Sequence, residues 1–169
     1  MAGGAGTYPY CQAQRIMHTS QQTSPQISNA TTYASSAATT DTTRIIVGGV
    51  VLIVELAETT AVQQNGLSGR LRLPTDHGML FVFNHQDYWN FWMLNMRFPL
   101  DIIWFNCGGQ AIFVKQGLPP CTSFENCPIF TPTSKAMYVL EVDAGFVGAH
   151  NISLGNSFVF LDRLLLECN

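Results

Sequence analysis

Five cysteines, four histidines and a few polar residues set inside apolar blocks are the groups in this chain whose types and spacing suit chemistry. Cys121 and Cys127 stand six apart in a loop flanked by Pro119, Pro120 and Pro128. A disulfide between them would staple a loop that has no other anchor, and such bonds persist in oxidising compartments. Zinc is the rival use of the same thiols, but no Cys-x-x-Cys pair and no neighbouring histidine stand with them. Cys107 and Cys168 could pair across neighbouring strands, leaving Cys11 for its own domain or for another subunit. His77, His85 and His150 follow no metal-ligand spacing. No serine occupies a Gly-x-Ser-x-Gly elbow, and Leu67-Ser68-Gly69 is only a superficial approach to one. The chain therefore presents no catalytic constellation, and no metal or cofactor is expected.

A second group comprises Arg70, Asn95, Arg97 and Asp101, polar side chains within otherwise apolar blocks. A buried polar group is costly unless it is paired. One reading is an internal Arg70–Asp101 pair that fixes a barrel. The other is a polar floor to a small pocket ringed by Phe91, Trp92 and Trp104, able to stack on and hydrogen-bond a small or carbohydrate ligand. Two N-glycosylation acceptors are also present, Asn29-Ala30-Thr31 and Asn151-Ile152-Ser153. Asn29 has the better context, among hydroxyl residues that could bear further glycans.

These residues are positioned by a chain that reads as strands and turns. Met79–Phe83 is a short apolar run between turn signals, the pattern of a strand buried on both faces. Further strands are expected at 90–97, 101–106, 110–115, 136–142 and 157–166, with Gly108-Gly109 as a hairpin turn. Ile45–Ala57 predicts a strand pair or one long bulged strand, with Gly48-Gly49 as turn or bulge. The best helical segment is Glu58–Asn65, ended by Asn65-Gly66. Leu118–Ser134 is expected to be irregular. The fold class predicted is all-β, a jelly-roll-like sandwich or barrel over 45–169 with one short helix.

Several ordered blocks carry a family resemblance. Gly66-Leu67-Ser68-Gly69-Arg70, Leu73-Pro74, Gly78–Phe83, Phe91-Trp92-Met93-x-Asn95 and Pro99-Leu100-Asp101-Ile102-Ile103 are together similar to the small β-domains called domain of unknown function 192. The likeness continues through Pro119-Pro120-Cys121, Cys127-Pro128, Tyr138-Val139-Leu140-Glu141, Ala144-Gly145 and Leu154-Gly155, covering about 45–162. Ser68 stands where that family usually has Met, and Met96 where it usually has Thr. The resemblance implies a compact, β-rich, jelly-roll-like fold and no particular reaction.

Residues 1–44 differ in kind from the rest: only Arg15, Asp41 and Arg44 are charged, and Thr19–Thr43 is mostly Ser, Thr, Ala and Gln. Such a segment buries too little apolar surface to offset its ordering entropy alone. It has three fates: docking on a neighbouring copy by strand addition, wrapping its own domain, or remaining an idle tail. The net charge is −3 with 11% charged residues and no basic run, so a nucleic-acid partner has little electrostatic support. No apolar run reaches the roughly 20 residues of a membrane span. Residues Met1-Ala2-Gly3-Gly4 lack the layout of a secretion signal.

Taken together, the sequence predicts a non-enzymatic extracellular or cell-surface subunit. Its arm would dock on the next copy and build a filament-type homopolymer, with covalent glycans as further decoration. The alternative is a monomeric binding module for a small or carbohydrate ligand, using the aromatic-polar cluster around Trp92, Asn95 and Asp101.

Overall fold

Two glycines with positive φ, Gly48 at 59° and Gly49 at 77°, make a two-residue turn between β1 (Thr42–Val47) and β2 (Val50–Ala57). Only glycine adopts this pair of conformations without strain, and the resulting twist matches that of the strands it joins. The register, Val47 opposite Val50 through Thr42 opposite Glu55, is that of a tight hairpin. Of the two expectations for this stretch, the strand pair is the one realised. The structure, a computed structural model, describes residues 41–162. The arm lies almost wholly outside them, as do Asn29, Cys11 and Cys168.

After β2 the chain forms α1 (Thr60–Asn65), capped by the Thr59 hydroxyl, which accepts a hydrogen bond from Val62 N–H. It then returns as β3 (His77–Asp87), which pairs with β2 in parallel. The remaining strands are β4 (Leu100–Phe105), β5 (Ala111–Leu118), β6 (Ala136–Asp143) and β7 (Phe158–Phe160). All seven belong to one sheet in the order β5-β4-β6-β3-β2-β1-β7, antiparallel except at β2–β3. The sheet curls until its two ends meet. Gln110 bridges Ser157, Phe158 N–H donates to Gly109 O at 3.0 Å and Ala111 N–H donates to Asn156 O at 2.8 Å. The fold is all-β and barrel-like, as predicted, with the Gly108-Gly109 hairpin between β4 and β5.

The central strands are apolar on both faces. Leu80, Ile103, Phe105, Leu140 and Val142 face one core, together with Ile45, Leu52 and Phe158. Met79, Phe81, Ile102, Trp104 and Val139 face a second core, covered by Leu67, Leu73, Phe91, Met93 and Met96. Trp104 and Phe105 are both fully buried, and each such side chain contributes about 2–3 kcal/mol before ordering losses.

Three local expectations need correction. Residues 90–97 are not a strand but an irregular segment with isolated bridges, Phe91 to Phe130 and Leu94 to Cys121. Their alternating burial arises because the segment lies over the sheet face, and Asn95 at φ 59° turns the chain before a ladder can form. A short helix, α2 (Phe146–Ala149), stands where only strands and loops were expected. The cause is non-local: the Asp101 carboxylate accepts the N–H groups of Gly145 and Val147 at 3.0 and 2.9 Å, holding the first turn. In the segment 157–166 the strand covers only Phe158–Phe160, and residues past 162 lie outside the described range.

Candidate ligand cleft

The parallel β2–β3 pair forces the chain to leave the sheet after Ala57 and re-enter at His77. That excursion carries α1 and Gly66–Ser68, which form one wall of a cleft of about 450 Å³. The opposite wall is Trp89–Trp92, and the floor is Phe81, Phe83 and Glu141 of the sheet. Gln63 ties the helix down: its Nε2 donates to Ala57 O and Val82 O, both at 3.0 Å. Phe83 stacks on Trp89 with centroids 3.9 Å apart, and Phe81 meets Phe91 edge-on at 4.8 Å. The floor and one wall are therefore largely aromatic.

Glu141 is the polar exception. It sits on β6 in the same phase as Val139, so the two-residue strand period points it into the second core. It is 5% exposed, and its Oε2 has no hydrogen-bond partner among the described residues. Burial raises its carboxyl to about 8, and the positive charge of Arg70 only partly opposes this. At neutral pH the group is predominantly the neutral acid. Arg70 offers little help because Glu55 holds both of its terminal nitrogens, one of them at 2.7 Å. Trp89 Nε1 is a second buried polar atom on the cleft wall without a partner among the described residues.

The residues predicted as one polar cluster are dispersed. Trp92 lines the cleft, half exposed, and Phe91 lines it too, whereas Trp104 is buried beneath with its Nε1 donating to Trp89 O at 2.9 Å. Arg70 pairs with Glu55 rather than with Asp101, which corrects the expected internal pair. Asp101 is fully buried and accepts three backbone N–H groups, those of Gly117, Gly145 and Val147, so it needs no cation. Asn95 and Arg97 are exposed and outside the cleft. Asn95 serves through its backbone, donating to Cys121 O and accepting from Gly69 N–H.

Cys121 and Cys127 form the expected disulfide. The loop it closes carries Phe124, whose ring meets Trp92 edge-on at 5.8 Å. Cys107 is disulfide-bonded as well, and the pairing suggested with Cys168 lies outside the described residues. Asn151 is exposed at the end of α2, with φ 51°. Ser68 Oγ donates to Leu94 O at 3.2 Å and lines the cleft without a base beside it. His77, His85 and His150 are apart from one another: His77 Nδ1 lies 2.8 Å from Thr75 O, His85 approaches Asp87 at 4.0 Å, and His150 packs on Phe146. Among the described residues no group of three His, Cys, Asp or Glu could hold a metal, and no helix is long and apolar enough to cross a membrane.

Sequence reasoning missed Glu141 and Trp89. The signal for Glu141 was there: one carboxylate in Tyr138-Val139-Leu140-Glu141-Val142, a strand apolar on both sides.

A curled β-sheet whose one parallel crossover walls an aromatic cleft over a buried carboxyl defines the class. The chain belongs to the DUF192 family, described as uncharacterized ACR, whose model matches residues 43–160. Among solved structures it is similar to a Sinorhizobium meliloti protein described as a candidate transcription regulator. The identity is 28% and the TM-score 0.66, over 72% of this chain and 95% of that one. It is also similar to a protein of unknown function from Novosphingobium aromaticivorans, with 26% identity and TM-score 0.63, over 78% and 99% of the two chains. No curated protein matches.

Proposed function

We propose that the domain is a binding module for a small organic ligand, held in the cleft between α1, Trp89–Trp92 and Glu141. The observation that carries this reading is Glu141 Oε2: buried, facing a cleft, and without a protein partner among the described residues. Leaving such a group unmatched costs about 1–3 kcal/mol, which a ligand group in the cleft would recover. Among the described residues, Glu141 is the one titratable side chain lining the cleft. No nucleophile–base pair converges with it among the described lining residues, so binding is the simpler use. The regulator description of the Sinorhizobium relative is not carried over, because a net charge of −3 without a basic run gives no footprint for nucleic acid. The reading is tested by NMR screening of the full chain against a fragment set of acids, bases, neutral rings and sugars. Shifts gathered on Gly66, Trp89, Trp92 and Glu141 are expected. No shifts there from any class would overturn the reading.

Homopolymer formation through residues 1–44 is a separate proposal. One feature favours it: among the described residues, the outer edge of β5 past Ala111 pairs with no strand and could accept an added one. Light scattering of the full chain over a concentration series tests it, and a constant mass of one chain at every concentration would overturn it.

A further inference from the structure

We infer that the ligand of this cleft is an organic cation, a small alkylated ammonium seated against the aromatic walls with its charge at Glu141. The inference rests on the binding reading above and names the ligand's chemical class. Three features select it.

First, the partly buried polar side chains of the cleft are already engaged, while Thr60, Gln64 and Asn65 are exposed. Gln63 is committed to Ala57 and Val82, Ser68 to Leu94 O, and Asn90 Oδ1 accepts from the Thr131 hydroxyl. A sugar would bury hydroxyls that find few partners, which weakens binding. Alkyl groups on nitrogen need none.

Second, the floor carries Phe81 and Phe83, and one wall carries Trp89, Phe91 and Trp92. Aromatic faces attract an alkylated ammonium through their quadrupoles, most strongly where water is excluded.

Third, Glu141 can supply the counter-charge. Arg70 is the charged side chain acting on it, and Glu55 occupies that guanidinium. Approach of a fixed positive charge ionises the Glu141 acid. Its proton leaves to solvent, and the carboxylate then faces the cation. Trp89 Nε1–H remains as a donor for an oxygen on the same ligand, such as the hydroxyl of an amino alcohol.

The experiment titrates the full chain with choline chloride, with its uncharged isostere in which carbon replaces the quaternary nitrogen, and with glucose. The readout is the indole signals of Trp89 and Trp92. Choline is expected to bind at least about tenfold more tightly than the isostere. Because Glu141 titrates near 8, choline affinity should rise about tenfold between pH 7 and pH 9, with proton release at pH 7. Glu141→Gln should abolish that rise. If the isostere or glucose binds as tightly as choline, or if affinity falls with pH, the cation assignment is overturned while the cleft reading stands. If none of the three perturbs the indoles, the cation assignment fails, and the fragment screen decides the cleft reading separately. Should Glu141→Gln not fold, the charge comparison and pH profile of the native chain still decide.

Discussion

Gly66 and Glu141 meet across the cleft: a side chain begun at Gly66 would stand 3.9 Å from Glu141 Oε2 and 3.4 Å from the ring of Phe81. Gly66 also adopts φ 50° and ψ −137° at the end of α1, a conformation that side chains disfavour. Gly66→Ala is therefore expected to destabilise the domain by about 1–2 kcal/mol and to weaken ligand binding at the same site. Denaturant unfolding together with the choline titration checks both effects. Unchanged values in each would show that the local geometry is wrong.

The Glu141 acid makes stability pH-dependent in an unusual direction. Its carboxyl is near 8 when folded against 4.5 ordinarily, so between those values the folded state holds the extra proton. Its contribution is fully present below about 4.5 and is lost as pH rises through 8. About 3 kcal/mol should disappear between pH 5 and pH 8, and Glu141→Gln should be nearly flat over that window. Unfolding midpoints across pH for the two proteins provide the test.

Removing Arg70 should act in two ways. Arg70→Met leaves Glu55 without its bidentate partner, costing about 1–2 kcal/mol. It also removes the positive charge that holds Glu141 down, so the Glu141 carboxyl should titrate still higher. Carbon-detected NMR titration of the Glu141 side chain reads the second effect directly.

Asp101→Asn should be more damaging than its size suggests. The carboxylate accepts three N–H groups, from Gly117, Gly145 and Val147, and an amide turns one of those acceptors into a donor facing another donor. A loss of about 2–4 kcal/mol is expected. Hydrogen exchange should be fastest at Gly145 and Val147, because that carboxylate holds the first turn of α2.

Replacing both Cys121 and Cys127 with Ser, which leaves the Cys107 bond in place, should cost about 2 kcal/mol by freeing a short loop. Phe124 rides on that loop against Trp92, so Trp92 emission should change in this variant while Trp104, fully buried, reports no loss of the core.

Much of the sheet was legible because two-sided burial writes itself as short apolar runs. Met79–Phe83, Leu100–Phe105 and Ala136–Val142 all became strands near the places expected. Gly48 and Gly49 at the first hairpin and Gly109 at the second take the positive φ those turns require. The misses share a cause, dependence on distant partners. Residues 90–97 alternate like a strand, yet their pairing fell to single bridges with Phe130 and Cys121. α2 depends on Asp101, over forty positions earlier in the chain. Arg70 and Asp101 looked complementary by charge, but Glu55 lay nearer one and backbone amides satisfied the other. Glu141 was passed over because its neighbours in sequence are apolar, and that same surrounding is what perturbs it.

The one parallel pair in the sheet has a consequence for how such a domain diversifies. Because β2 and β3 run the same way, residues 58–76 must travel outside the ladder, and they make no register with any strand. Changes in that stretch can reshape the mouth over Glu141 while every rung of the sheet stays in place. The cleft is thus shaped from two sources, a wall that lies outside the ladder and a floor of Phe81, Phe83 and Glu141 that belongs to it, so the wall can vary while the floor stays fixed by the sheet.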